Sequence, residues 1–508
     1  MSRNDACGIL LRLEGSASAR SSRAFLDSFS LPGSVRPRAH PRNAAWLVAL
    51  ACLFPALLGA CGTQASTPRP RNAILISIDT LRPDHLGCYG HARETSPTLD
   101  AIAARGVRFA DASAAAPWTL PSHATMLTGL YPSHHGVKNH ETRLGGAIVT
   151  LAEEFADRGF RTVGVVNTWN VGAPQFQLSQ GFQRFHYVLE TEEDEHTLQM
   201  RTKNGGREVI AKAREFLLEE PSEKPFFLFL HFYDVHSDFT PRAPYREQFV
   251  EPYEGKLTGR TQQLINLRDK GETFSADDLR WLQQMYDAEI RQLDDTLGRF
   301  LAWLDERGEL AETLLVVTSD HGEEFQEHGG ILHGRTQYQE VLHVPFLIAG
   351  PGVPAGVVID DAVDGVDLAP TLLACMGLAS STARDGLDLS VLWHGGRLPE
   401  RALFAEADHT NLVAGEHLLD MQHMIRRGPW KLHFDRHARS TRLFDLDGDP
   451  RESQDRAAER PDEARALLAE LERFEAGAVA PESIPRPTAQ EQELLEELGY
   501  GGGGGDGE

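Results

Sequence analysis

At 508 residues, 41% hydrophobic and 24% charged, the chain is long and apolar enough for one large globular domain and a smaller companion, which excludes disorder as its main state. A formal net charge of -24 excludes binding of nucleic acid or of an anionic membrane surface through a basic face. Five cysteines, of which only Cys61, Cys88 and Cys375 lie beyond residue 60, exclude a disulfide framework.

Residues 1–60 read as a leader. The apolar run "AAWLVALACLFPALLGAC", Ala44 to Cys61, follows Arg36, Arg38 and Arg42 and is too short for a membrane span, so it reads as a signal peptide. Its end, Leu58-Gly59-Ala60-Cys61, resembles the lipobox of bacterial lipoproteins. That resemblance implies lipidation of Cys61 and an exported, membrane-anchored protein facing the periplasm or the cell surface. With no methionine between Met1 and Met126, translation is expected to begin at a non-Met codon such as that of Val35.

A polar tether, residues 61–72 with "STPRPRN", leads into "AILISID", a fully buried strand that opens the large globular domain, residues 73–400. Next comes "PWTLPSHATMLTGLYPSHHG". Pro121 suits the first position of a helix and Gly129 its end, which leaves Thr119 at the entry, where free N–H groups and the helix dipole stabilise an anion. An ordinary capping threonine fits the same stretch. Helical patterns then alternate with strands: "TLAEEFADRG" before "RTVGVV", "REVIAKAREFLLEE" before "PFFLFLHF", and "IRQLDDTLGRFLAWLDERG" before "TLLVVTSD". This alternation predicts an α/β fold, a large mixed or parallel sheet sandwiched by helices. Residues 401–476, with "WKLHF", "TRLFDLD" and a helix from Pro461 to Phe474, predict a small C-terminal α+β subdomain, followed by a tail, 477–508.

Ligands of open α/β sheets bind outside the carboxyl ends of the strands. Three strands here end in acids: at Asp79, at Asp234 with His236, and at Asp320 with His321. Such a set predicts a metal site.

The landmarks "SIDTLRPDHLGCYG", "TLPSHATMLTGLYP", "HFYDVH", "TSDHGEEFQEHGGILHGRTQY", "VDLAPTLL" and "LFDLDGDPRE" together resemble the sulfatase family of the alkaline phosphatase-like superfamily. The resemblance implies that Asp79, Asp320, His321 and Thr119 hold one divalent metal ion (Ca, Mn or Zn). It implies Thr119 as nucleophile, with His236 and Arg335 contacting the substrate group, and it places His123 where the family carries an arginine. His328 and His333 are weaker extensions of the site. The substrate implied is a small-molecule, glycan or lipid ester.

Three departures weaken the match to true sulfatases. Their nucleophile is a cysteine or serine oxidised to formylglycine, which Thr119 is not; Thr80 replaces a second aspartate; and Thr168 and Asn170 replace the basic pair of "GKWHLG". A metal-dependent hydrolase of sulfate or phosphate esters is therefore expected. Two alternatives are a phosphodiesterase or phospho-group transferase and a non-catalytic binding lipoprotein that kept the fold.

Overall fold

The computed structural model describes residues 68–188, 205–219, 223–413 and 416–484, so the expected leader, the lipobox cysteine and the end of the tail lie outside it. Strands β1 (Asn72–Ile78), β2 (Val107–Phe109), β3 (Arg161–Val166), β4 (Arg184–Tyr187), β5 (Phe226–Phe232), β6 (Thr313–Thr318), β7 (Phe346–Ala349) and β8 (Val357–Ile359) form one sheet. Their order is β8-β2-β7-β6-β1-β5-β3-β4. At its centre β1 runs parallel to β5 and β6, whereas β7 is antiparallel to both β6 and β2, so the sheet is mixed.

Every residue of β1, β3, β5 and β6 is buried, because helices cover both faces. Alternation along the strands feeds two cores. Leu75, Phe227, Phe229 and Val316 pack with residues of α2 (Thr119–Thr128), α3 (Leu151–Ala156) and α6 (Leu368–Cys375). Ile74, Leu228, Leu230 and Val317 pack with α1 (Pro97–Ala104), α4 (Gly206–Glu219) and α5 (Ala276–Glu306). The expected stripe of Ile290, Leu293, Leu297, Leu301 and Leu304 is buried in the second core. The helix that carries it is longer than its apolar stripe suggests. It starts at Ala276, where Ser275 and Asp278 close a reciprocal capping box with hydrogen bonds of 3.1 and 3.0 Å.

The C-terminal subdomain is an antiparallel meander, β9 (Leu403–Val413), β10 (Glu416–Arg427), β11 (Trp430–Asp435) and β12 (Ser440–Asp445), covered by α7 (Pro461–Glu475). Only β11, β12 and α7 match the expected elements. The 11- and 12-residue strands β9 and β10 were hidden by their many charged and histidine residues, which break the apolar alternation of a half-buried strand. A buried ion pair within this subdomain meets the larger domain at Gln339, just before β7. Lys431 Nζ lies 2.9 Å from Glu452 Oε1 and donates to Gln339 Oε1 at 3.1 Å, while Glu452 Oε2 accepts the Gln339 backbone N–H at 2.7 Å.

Removing one member of a buried pair strands the other's charge. Lys431→Ala is expected to lower stability by about 3–5 kcal/mol, read from the urea midpoint, and the double variant Lys431→Met, Glu452→Gln to recover most of that loss. A single variant as stable as the parent would show that the pair does not secure the joint.

Candidate active site

Three backbone segments converge at the carboxyl ends of β1, β5 and β6. Asp79 directly follows β1, and the next residue turns sharply: Thr80 adopts φ 55°, a left-handed conformation costly for a branched side chain. Three hydrogen bonds hold it there. Its N–H donates to Asp320 Oδ1 (3.2 Å), its hydroxyl to Val235 O (3.2 Å), and its carbonyl accepts Tyr286 OH from α5 (2.6 Å). Beyond β6, Ser319 Oγ accepts Leu81 N–H and donates to His321 O, locking the two loops together.

Thr119 is the first residue of α2, after Trp118 in extended conformation, and Gly129 closes the helix at φ 69°. Pro121 therefore stands third rather than first, because Trp118 and not a later residue takes the cap conformation. Thr119 Oγ1 sits at the helix's positive end, where the dipole favours a developing alkoxide.

The side chains of Asp79, Thr119, Asp320 and His321 meet with no solvent exposure. His321 Nε2 lies 3.4 Å from Thr119 Oγ1, 3.3 Å from Asp320 Oδ2 and 3.6 Å from Asp79 Oδ1. Its Nδ1–H donates to Gly322 O at 3.0 Å, which presents Nε2 to the cluster. Neither oxygen of Asp79, nor Asp320 Oδ2, has a hydrogen-bond partner. A buried carboxylate without partners is costly, so the cluster is short of positive charge. The spacing agrees. Charge-assisted hydrogen bonds run about 2.7–2.9 Å, whereas two ligands each about 2.1 Å from a tetrahedral ion stand roughly 3.4 Å apart. Asp79, Asp320 and His321 thus form a group fit to hold a cation.

The charges respond to the same geometry. Burial, reinforced by the charge of Asp320, raises the Asp79 carboxyl well above its ordinary range. Burial would raise Asp320 too, but the adjacent His321 imidazole overrides it and holds Asp320 below the usual carboxylate range. Burial opposes the charged form of His321, yet Asp320 and then Asp79 lift it to about 9.

The other expected residues are placed as follows. His236 is buried, with Nδ1–H donating to Ser237 O at 2.7 Å; its ring stacks on Tyr233 (4.2 Å) and lies 4.8 Å from the ring of His333. His333 in turn lies 4.4 Å from the His321 ring and donates to Glu323 Oε1 at 3.0 Å, so it belongs to the cluster. His328 points away, ion-paired to Glu340 at 2.5 Å and stacked on Tyr338. Arg335 stands at the partly exposed rim, its Nη1 3.6 Å from Asp269 Oδ1. Asp234 bonds the N–H of Gly206, the first residue of α4, at 3.0 Å, which accounts for one strand-end acid as a helix cap. His123 lies one turn below Thr119, its Nδ1 2.8 Å from Thr119 O and its Nε2 3.0 Å from Ser77 Oγ. Burial lowers it to about 4, so no positive charge stands at that position at neutral pH.

His231 and Glu323 were missed. His231, in β5, lies 3.3 Å by Nε2 from Asp79 Oδ2 and is fully buried. The signal was present in "FFLFLHF", a single imidazole in an otherwise apolar strand.

A family model described as "Sulfatase" matches residues 71–378, and one described as "N-sulphoglucosamine sulphohydrolase, C-terminal" matches residues 326–474. The chain is 27% identical to an arylsulfatase of Clostridium perfringens, over 80% of this chain and 95% of the relative. It is 29% identical to human arylsulfatase A, over 74% of this chain and 77% of the relative. Among solved structures, the phosphonate monoester hydrolase of Agrobacterium radiobacter superposes with a TM-score of 0.64 at 23% identity, covering 80% of this chain and 95% of that one, which bears on the fold alone.

A carboxyl whose folded pKa is raised costs stability at every pH above its unfolded value, so it destabilises the metal-free protein at neutral pH. Asp79→Asn is therefore expected to raise the melting temperature of chelator-treated protein while weakening uptake of divalent metal. Unchanged uptake would remove Asp79 from the ligand set.

Proposed function

The chain belongs to the sulfatase family of the alkaline phosphatase-like superfamily and is an ester hydrolase of that type, and from this premise we propose a metal-dependent reaction on sulfate or phosphate esters with Thr119 as nucleophile. The observation that carries the reading is the buried meeting of Thr119 Oγ1, His321 Nε2 and the unpartnered carboxylates of Asp79 and Asp320.

A divalent cation held by Asp79, Thr119, Asp320 and His321 would lower the pKa of the threonine hydroxyl and neutralise charge on the group under attack. The mixed oxygen and imidazole donors suit Mn or Zn, and Ca as well. Thr119 Oγ bonds to the central phosphorus or sulfur, its hydroxyl proton passing to solvent, as the ester oxygen departs and takes a proton from Nε2 of the His236 imidazolium, which solvent later reprotonates. Water then cleaves the Thr119 ester and returns the hydroxyl. The amino end of α2 adds positive potential at Oγ1.

The anion this site suits is weakly charged. Thr168 and Asn170 are buried and neutral, and burial keeps His123 neutral, so fewer cations surround the centre than the family pattern supplies. This favours a monoanionic group, a sulfate ester or a phosphodiester, over a doubly charged phosphate monoester, and keeps the phosphodiesterase or transferase reading as the alternative. Export and lipidation at Cys61 complete the proposal, with a small-molecule, glycan or lipid ester as substrate outside the cytoplasm. Among the described residues no helix is long and apolar enough to cross a membrane.

Thr119→Ala is expected to lower kcat by several powers of ten and Thr119→Ser to keep measurable turnover. Quenching with a fast-leaving phosphodiester should leave a phosphorylated adduct on the peptide holding Thr119. Robust turnover by Thr119→Ala, or an aldehyde mass at that position, would overturn the mechanism. Separately, Cys61→Ser should release the protein from membranes on fractionation, and retention there would count against lipidation.

A further inference from the structure

We propose that His231 is a positioning residue for Asp79: it donates Nε2–H to Asp79 Oδ2 and thereby leaves Oδ1 as the oxygen that faces the cation. The inference rests on the metal reading above and adds to it a residue that touches neither metal nor substrate.

His231 is the one polar residue of its strand. The other six residues of β5 are phenylalanine and leucine, and all seven are buried. The imidazole has no solvent exposure, and neither of its ring nitrogens has a hydrogen-bond partner. In either charge state the ring carries at least one N–H, and burying that donor unpaired costs free energy that a leucine here would not. Its surroundings offer a compensation in Asp79.

Register brings the two together. Ser77 of β1 pairs with His231, and Asp79 stands two residues past Ser77, on the same face of the sheet. His231 Nε2 comes to 3.3 Å from Asp79 Oδ2, whereas Asp79 Oδ1 lies 3.6 Å from His321 Nε2. The two oxygens of one carboxylate thus face two different imidazoles. A lone pair on His231 Nε2 would point at negative charge, so the carboxylate selects the tautomer with the proton there. The His123 ring, edge-on at 4.9 Å, limits the swing of the His231 ring. The 3.3 Å gap is just beyond the usual N–H···O range, and the soft terminal torsion of an aspartate lets a small turn of the carboxylate close it. A donor fixed on Oδ2 restricts Asp79 to a single metal contact and holds its orientation before an ion arrives.

The rival role is an imidazole that only fills space. Glutamine and methionine separate the two, because they are similar in length and shape and only glutamine carries an N–H donor. Zinc binding to chelator-stripped protein, measured by competition with a chromophoric chelator, is expected to weaken about ten- to hundred-fold in His231→Met and to stay close to the parent in His231→Gln, each checked for folding by circular dichroism. Equal affinities in the two variants overturn the proposal and leave the metal site standing, whereas a parent protein that takes up no zinc overturns both. Should neither variant fold, a crystal structure of the zinc-loaded parent decides. His231 Nε2 within about 3.2 Å of Asp79 Oδ2 supports the role, and a longer gap, or His231 bound to the zinc itself, overturns it.

Discussion

The site depends on the register between β1 and its two parallel neighbours. Ser77 pairs with Thr318 on β6 and with His231 on β5, so all three strands end almost level. Asp79, two residues past Ser77, and Asp320, two residues past Thr318, consequently emerge side by side, and His231 lies beneath them. A slip of one residue would send one aspartate to the opposite face of the sheet. The fully buried β1, β5 and β6, packed on both faces, penalise such a slip along their whole length. Ordinary core packing thus sets the distance between two carboxylates that would repel one another in isolation.

Bringing these groups together has a cost that the surrounding structure bears. Thr80 keeps a left-handed backbone because α5, through Tyr286, and the β5 loop, through Val235, both bond to it, and its N–H helps hold Asp320. Asp320 is also anchored through its own carbonyl, which accepts Ser122 Oγ of α2 at 2.6 Å. Four elements therefore fix a single carboxylate before any ligand arrives. Under the mechanism proposed above, preorganisation of this kind would let charge develop on Thr119 without reorganising the protein at the moment of reaction.

Most of the fold was legible because its central strands are apolar runs and its helices carry period-matched stripes, as "RTVGVV" and the Ile290 to Leu304 stripe illustrate. The meander was less so, since β9 and β10 mix histidine and acidic residues into their pattern, which hides the apolar alternation of a half-buried strand. At the site, Asp79, Asp320 and His321 could be located because each follows a recognisable strand. His231 could not, because its meaning comes from register with Ser77, and periodicity within one strand does not report what lies opposite. Nor could sequence separate His333 from His328, five residues apart on one loop, where the fold turns one toward His321 and the other toward Glu340.

Cavity size is a poor guide to chemistry in this molecule, and the reason is electrostatic. A cavity of about 810 Å³ is lined by Arg82, Asp84, His85, His91, Glu327 and His328, and so is rich in titratable groups. Those groups already satisfy one another or near neighbours. Arg82 bridges Asp84 and Glu327, His85 and His91 share Asp287, and Arg93 adds a third contact to that carboxylate at 2.9 Å. The result is visible in Asp287, which burial would raise but its histidine partners hold down at about 2. Asp79 has the opposite fate: equally hidden, it is pushed up because no comparable set of partners compensates it. A charge cluster that balances itself contributes to the fold, whereas one left short of positive charge has capacity for a ligand, and that criterion supports the metal site proposed at Asp79, Asp320 and His321 over the cavity at Arg82.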